Sequence, residues 1–231
     1  MRKIFYFILI LFVGSSLYAQ KGLNTGDQFP ELRFTDLTGT IYYKTNRQVL
    51  GTAFLDDDYR IGRIFLENGS SINNVKLKFD LFANDLIVYQ DIKQLLVIVD
   101  KDAVKGFELD NVKGTEKYIR IQGIKSKSFG EFGSYVRVLT EGKNSFYKLQ
   151  YKEQITLQNR SDRYFYEFHD KTEYHLFLGS YDEKINLSRH TLKKLFPSYK
   201  SEIRKYSHQA KIKPGNEEGF AKMIEYINTL P

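Results

Sequence analysis

Two histidines, His169 and His175, flank the segment FHDKTEYHLF, in which Asp170 and Glu173 set two carboxylates beside them. Imidazole and carboxylate are the groups from which zinc sites and acid–base pairs are built. A zinc site needs three or four ligands at fixed geometry, and no third ligand is recognisable here. The segment reads as a hairpin with both histidines on its solvated flanks and no metal bound. Together with Tyr164 and Tyr166 on the incoming strand they form a candidate ligand-binding group. Alanine at either histidine is expected to leave the fold intact.

Leu55 to Arg60 reads LDDDYR. On an extended chain Asp56 and Asp58 share a face and Asp57 does not, but the Gly and Glu positions of a calcium loop do not follow. The run is expected to be a solvated turn. KSFGEFGSY sets Gly130 and Gly133 ahead of a strand instead of opening a helix, the wrong context for cradling phosphate. There is no nucleophile elbow, helical zinc-protease motif or P-loop. The sequence therefore assigns no catalytic residue and no cofactor.

Charge is concentrated toward the C-terminus. The chain carries +7 overall, and residues 189–213 hold eight Lys or Arg (Arg189, Lys193, Lys194, Lys200, Arg204, Lys205, Lys211, Lys213) against one acid, Glu202, a net of +7 in that segment alone. Lys193, Lys194, Lys200, Arg204 and Lys205 are the expected contacts for an anionic partner, an acidic surface lipid or an anionic polymer, with no nucleic acid implied. The 17 Tyr and 18 Phe would stack on sugar rings or peptide side chains if exposed. Buried, they are the cross-strand pairs that sheets prefer, and packing is the favoured reading.

The elements that must position these groups are mostly strands. In VKLKFDL, Val75, Leu77, Phe79 and Leu81 alternate with Lys76, Lys78 and Asp80, the period of a sheet with one wet face. Strands are expected at 50–55, 61–66, 74–81, 86–89, 94–99, 104–109, 117–122, 135–139, 145–151, 164–169 and 173–178. LLVIV, without a polar face, is placed at the sheet centre or under another layer. Short connections favour an antiparallel meander forming a sandwich or a curved half-barrel. Strands this short fall below the 9–11 residues of a membrane barrel. After residue 187 the period becomes helical: Ser188 caps a helix that Pro197 stops, a second follows, and Asn216 caps a third with Phe220, Met223, Ile224, Ile227 and Leu230 as its apolar stripe. These helices are expected to pack on the sheet, since two exposed stripes of that size are rare on soluble monomers.

MRKIFYFILILFVGSSLYA has the layout of a secretory signal: Arg2 and Lys3, an apolar run, then small residues ahead of Ala19. The chain has no cysteine, so it would have to hold together without disulfides or thiolate metal sites. The expected organisation is a signal peptide at 1–19, an extended lead-in at 20–49, an antiparallel β domain at 50–187 and a helical segment at 188–231.

The stretches YAQK, GRIFLENG, NVKLKFDLFANDLIV, VKGFEL, LKKLFPSYKSEIRKY and NEEGFAKMIEYIN resemble those of uncharacterised exported proteins of Bacteroidota, over most of the chain after the leader. The resemblance implies a periplasmic or secreted location, peripheral to the outer membrane, and carries no catalytic residues. The expected function is a non-catalytic cell-envelope protein that binds a partner or an apolar or anionic ligand through its sheet face or basic tail. The alternative is a secreted hydrolase with a dispersed site.

Overall fold

The computed structural model describes residues 39–42, 49–91, 94–124, 133–158 and 164–231, all within one compact unit; the leader, most of the lead-in and Gly130 lie outside them. The described chain is mostly β, as expected. Its strands are β1 Gly39–Ile41, β2 Val49–Leu50, β3 Arg60–Leu66, β4 Ser71–Asp80, β5 Asp85–Gln90, β6 Leu95–Val99, β7 Val104–Asn111, β8 Gly114–Ile121, β9 Ser134–Thr140, β10 Asn144–Gln158, β11 Tyr164–Leu178 and β12 Tyr181–Ile185. Helices α1 Arg189–Leu195, α2 Lys200–Gln209 and α3 Glu217–Asn228 follow. The strands form one open sheet in the order β1-β6-β5-β4-β3-β7-β8-β9-β10-β11-β12, with β2 running parallel to β11 and every other neighbour antiparallel. Two meanders, β3 to β6 and β7 to β12, thus meet where β7 pairs back onto β3. LLVIV is β6, next to the edge strand β1 and away from the centre; Val97 and Val99 are buried while Leu96 and Ile98 are half-buried.

That junction forces curvature. In a flat sheet β6 and β7 would lie four strand spacings apart, about 19 Å. The connection from Val99 to Val104 reaches at most about 17 Å fully extended, and it spends residues 101–103 on a 3-10 turn. The sheet must therefore curl, and Phe79 on β4 meets Tyr135 on β9 at 6.1 Å between ring centroids, although three strands separate them in the sheet. Gly62 sits at the junction: a Cβ there would lie 2.1 Å from the Glu108 carbonyl oxygen, so only glycine permits β7 to approach this closely.

A seam remains where β10 leaves β9. Their pairing ends at Lys148 opposite Arg137, and the β4–β5 turn fills the gap. The buried Asn84 amide bonds the Tyr135 backbone in both directions, accepting from its N–H at 2.8 Å and donating to its carbonyl at 3.4 Å. The Leu81 carbonyl accepts from the Lys152 N–H at 3.1 Å. Asn84 holds φ at +57°, a region that asparagine tolerates better than most side chains.

Inside the curl, Ile64, Val75, Leu77, Phe79, Phe107, Leu109, Tyr118 and Tyr135 form the first core. A second core joins Phe146, Leu176 and Ile185 of the sheet to Leu192, Phe196, Ile203, Phe220, Met223, Ile224 and Ile227, so the helices dock on the sheet. Between the cores runs a chain of alternating charges. Arg60 Nη1 lies 2.8 Å from Glu116, Glu116 lies 3.2 Å from Arg137 Nη1, and Glu217 in the first turn of α3 takes Lys148 Nζ at 2.8 Å. Asn228 clasps the other end of α3 to the Asn144 backbone at 2.9 and 2.8 Å. Ser188 and Asn216 cap α1 and α3 as the sequence indicates, accepting from the Thr191 and Gly219 N–H groups.

Candidate functional site

FHDKTEYHLF is not a hairpin. His169 and His175 lie on one continuous strand, β11, six residues apart, which at about 3.3 Å per residue separates them by about 20 Å. They share a face, whereas Tyr166 occupies an alternate position and faces the other side of the sheet. Tyr166 pairs with Val49 of β2; the Tyr164 side chain lies outside the described atoms. His169, His175 and Tyr166 therefore do not converge. His169 is exposed, with Nε2 3.5 Å from Glu167.

His175 is 0 % exposed and central to a buried polar group. Its Nδ1 lies 2.9 Å from Asp182 Oδ1 on β12, a contact that puts the hydrogen on Nδ1 because an ionised carboxylate only accepts. Its Nε2 faces Glu173 Oε2 at 3.5 Å without hydrogen-bond geometry. Glu173 Oε1 accepts from the Tyr151 hydroxyl at 3.0 Å and pairs with Lys184 Nζ at 2.7 Å. This arrangement holds charge within a sheet face; it offers an outside molecule no access to the imidazole. Among the described residues no group of three or more His, Cys, Asp or Glu side chains is placed to hold a metal ion. The expectation that His175 can be replaced without cost is revised, since alanine there would empty a fully buried position and remove the 2.9 Å contact to Asp182.

Burial pushes the Glu173 carboxyl up, but the Lys184 ammonium, the Tyr151 hydroxyl and His175 outweigh it and hold the group below the usual carboxylate range. A depressed carboxylate contributes stability above its unfolded value, about 4.3, and loses that contribution as pH falls through the folded value. Urea unfolding midpoints followed from pH 7 to 3 should therefore fall more steeply for the native chain than for Glu173→Gln. Parallel curves would refute this role. Sequence reading named Glu173 and His175 but missed Tyr151, Asp182 and Lys184. The signal for the last two was Gly179, whose φ of +64° makes the turn into β12.

The basic segment has a different geometry. In α1 and α2 the apolar positions Leu192, Ile203 and the small Ser207 are buried, while Arg189, Lys194, Lys200, Arg204 and Lys205 are exposed and Lys193 is half-buried. Ser207 Oγ accepts from Arg189 Nη2 at 2.8 Å and donates to the Ile212 carbonyl at 3.0 Å, fixing α1 to the end of α2. Tyr206 stacks on Tyr226 of α3 at 3.9 Å between centroids. On the sheet, Arg60, Lys76, Lys101, Lys117, Arg120, Arg137, Lys148, Lys152, Lys171 and Lys184 each have an acidic partner. Among the described residues none of Lys193, Lys194, Lys200, Arg204, Lys205, Lys211 and Lys213 has a carboxylate within 4 Å. A shallow depression lined by Asn111, Lys113, Thr115, Glu116 and Arg137 offers less, because Glu116 and Arg137 already engage each other.

No protein-family model matches the chain, and no solved structure does. Among curated proteins an alanine–tRNA ligase of Vesicomyosocius okutanii subsp. Calyptogena okutanii (strain HA) is 34% identical over 91 residues, which cover 37% of this chain and 10% of the ligase. The chain thus spans about a tenth of the relative's length.

Proposed function

We propose that this is an exported, non-catalytic protein of the cell envelope that binds an anionic envelope component through the cationic surface of α1 and α2. The observation that carries the reading is a cluster of unpaired charge: among the described residues Lys193, Lys194, Lys200, Arg204 and Lys205 of α1 and α2 have no carboxylate within 4 Å, whereas most cations of the sheet, such as Arg60, Lys148 and Lys184, have one. Free cations held on packed helices keep their attraction for an outside anion, at about 1 kcal/mol per Lys or Arg near an acidic surface. The leader sequence supports export. No helix among the described residues is long and apolar enough to cross a membrane. The exposed large apolar side chains (Ile41, Leu50, Tyr59, Ile61, Phe82, Val112, Tyr181) all lie outside α1–α3, so adsorption through this face is electrostatic and without insertion. The match covers a tenth of the ligase and enters nowhere in this reading.

The test is sedimentation with vesicles. Vesicles containing phosphatidylglycerol should pull down the protein, and phosphatidylcholine vesicles should not. Binding should fade as added salt shortens the screening length from about 10 Å at 0.1 M to about 3 Å at 1 M. Replacing Lys194, Lys200, Arg204 and Lys205 by Gln should abolish it. Equal binding to both vesicles, or binding unchanged in that variant, would sink the proposal.

A further inference from the structure

A second surface lies on the outward face of β4 and β5, away from the curled core. Tyr42 meets Phe54 at 6.0 Å between centroids, and Tyr59 meets Tyr89 at 5.3 Å. Lys78 Nζ joins the two pairs, standing 4.4 Å above the Phe54 ring and 5.2 Å from Tyr59, and Lys76 Nζ lies 5.4 Å over Tyr89. The result is an unbroken ladder in which four aromatic rings are interleaved with two ammonium groups. Tyr59 is 40 % exposed and Ile61 beside it 38 %. Burial, the first cause in each case, pushes the Tyr42 and Tyr59 phenols above their ordinary value, so both keep their hydrogens and can donate.

The polar groups around the rings narrow the choice of occupant. Lys78 donates to the Asp57 carbonyl and has no carboxylate within 4 Å among the described residues. Asp57 and Asp58, next to Tyr59 in the chain, are exposed and have no cation within that distance among the described residues. Lys76 is neutralised by Asp91 at 2.6 Å, and Arg60 by Asp56 at 3.1 Å and Glu116 at 2.8 Å. Arg60, Lys76 and Lys78 stand against Asp56, Asp57, Asp58, Asp91 and Glu116, an acidic excess that disfavours an anionic ligand. What remains is a set of apolar ring surfaces edged by hydroxyl and ammonium donors and by free carboxylate acceptors. That pattern complements a sugar unit, whose C–H face packs on an aromatic ring while its hydroxyls both donate and accept.

We infer that the Tyr42, Phe54, Tyr59 and Tyr89 ladder, with Lys78 and the Asp57–Asp58 pair, is a binding surface for a neutral glycan chain. Tyr59 supplies the principal platform, Lys78 donates to ring or hydroxyl oxygens, and the two aspartates accept from hydroxyls. This surface lies apart from α1 and α2, and the inference stands without the helical reading.

Affinity electrophoresis tests it: the native protein is run in gels cast with soluble glucan, xylan or mannan, with a gelatin gel as the polypeptide control. At least one of the three neutral glycans should retard the protein. Tyr59→Ala should weaken that retardation about tenfold, Tyr59→Phe should retain most of it, and Lys78→Gln should weaken it several-fold. The variant lacking the four helical cations should migrate with native affinity. Thermal melts check that each variant is folded, and Tyr59, being exposed, is suited to replacement. Retardation by none of the three glycans, retardation indifferent to Tyr59→Ala, or retardation by gelatin alone would overturn the inference, the last by assigning the ladder to a peptide.

Discussion

Deleting residues 189 to 231 is expected to leave a fragment that is insoluble or rapidly cleaved by protease. The deletion removes Leu192, Phe196, Ile203, Phe220, Met223, Ile224 and Ile227 from the second core and uncovers Phe146, Leu176 and Ile185 on the sheet. Each fully buried large side chain contributes about 1.5–3 kcal/mol, and a whole domain's stability is only about 5–15 kcal/mol. The deletion also strands charge: Lys148 and Arg137 lose Glu217, and the Asn144 backbone loses its amide clasp. Limited proteolysis of the full chain and the fragment decides the matter. A soluble fragment that unfolds cooperatively and resists protease as the full chain does would show that the helices are an arm added to a self-sufficient sheet.

The second large effect belongs to one amide. Asn84→Ala should lower stability by about 3–7 kcal/mol. It leaves the buried N–H and C=O of Tyr135 without their partner, at about 1–3 kcal/mol for each orphaned group, and it forces alanine to φ near +57°, which costs about 1 kcal/mol more. Asn84→Gly separates the two causes, since glycine meets the backbone demand while still losing the amide. Urea unfolding should place Asn84→Gly between the native chain and Asn84→Ala. A loss below about 1 kcal/mol in the alanine variant would mean that the seam is held elsewhere.

What the sequence disclosed was local. Ser188 and Asn216 declare themselves as caps because a cap is decided within three residues. The alternation of Val75, Leu77 and Phe79 declares a half-buried strand because the pleat has a period of two. FHDKTEYHLF misled for the opposite reason. Its polar run reads as a turn, yet β10 continues opposite it and supplies partners, with Lys152 3.5 Å from Asp170 and Glu153 3.5 Å from Lys171. The burial of His175 depends on β12, whose five residues carry too little pattern to announce a strand. The curl depends on β7 pairing with β3, a choice between distant segments that no window of sequence contains. For the same reason the cationic positions of the tail were legible as a helical pattern, while the ladder was not. Tyr42, Phe54, Tyr59 and Tyr89 come from separate segments that only the folded sheet assembles.

The junction between the two meanders also sets a schedule. β3 gains β4 as one neighbour almost at once, across a short turn, but its other edge waits for β7, whose first residue comes 38 positions after the last of β3. At roughly 5–20 residues per second of synthesis, that edge stays open for about 2–8 s, long enough for wrong pairing with another chain. Arg63, exposed on β3, is the kind of residue that keeps such an edge from finding a copy of itself. Gly62, required by the close approach of β7, also lowers the strand's propensity to form before its partner arrives. The tight junction that shapes the finished sheet is therefore also the point at which the nascent chain is most open to aggregation.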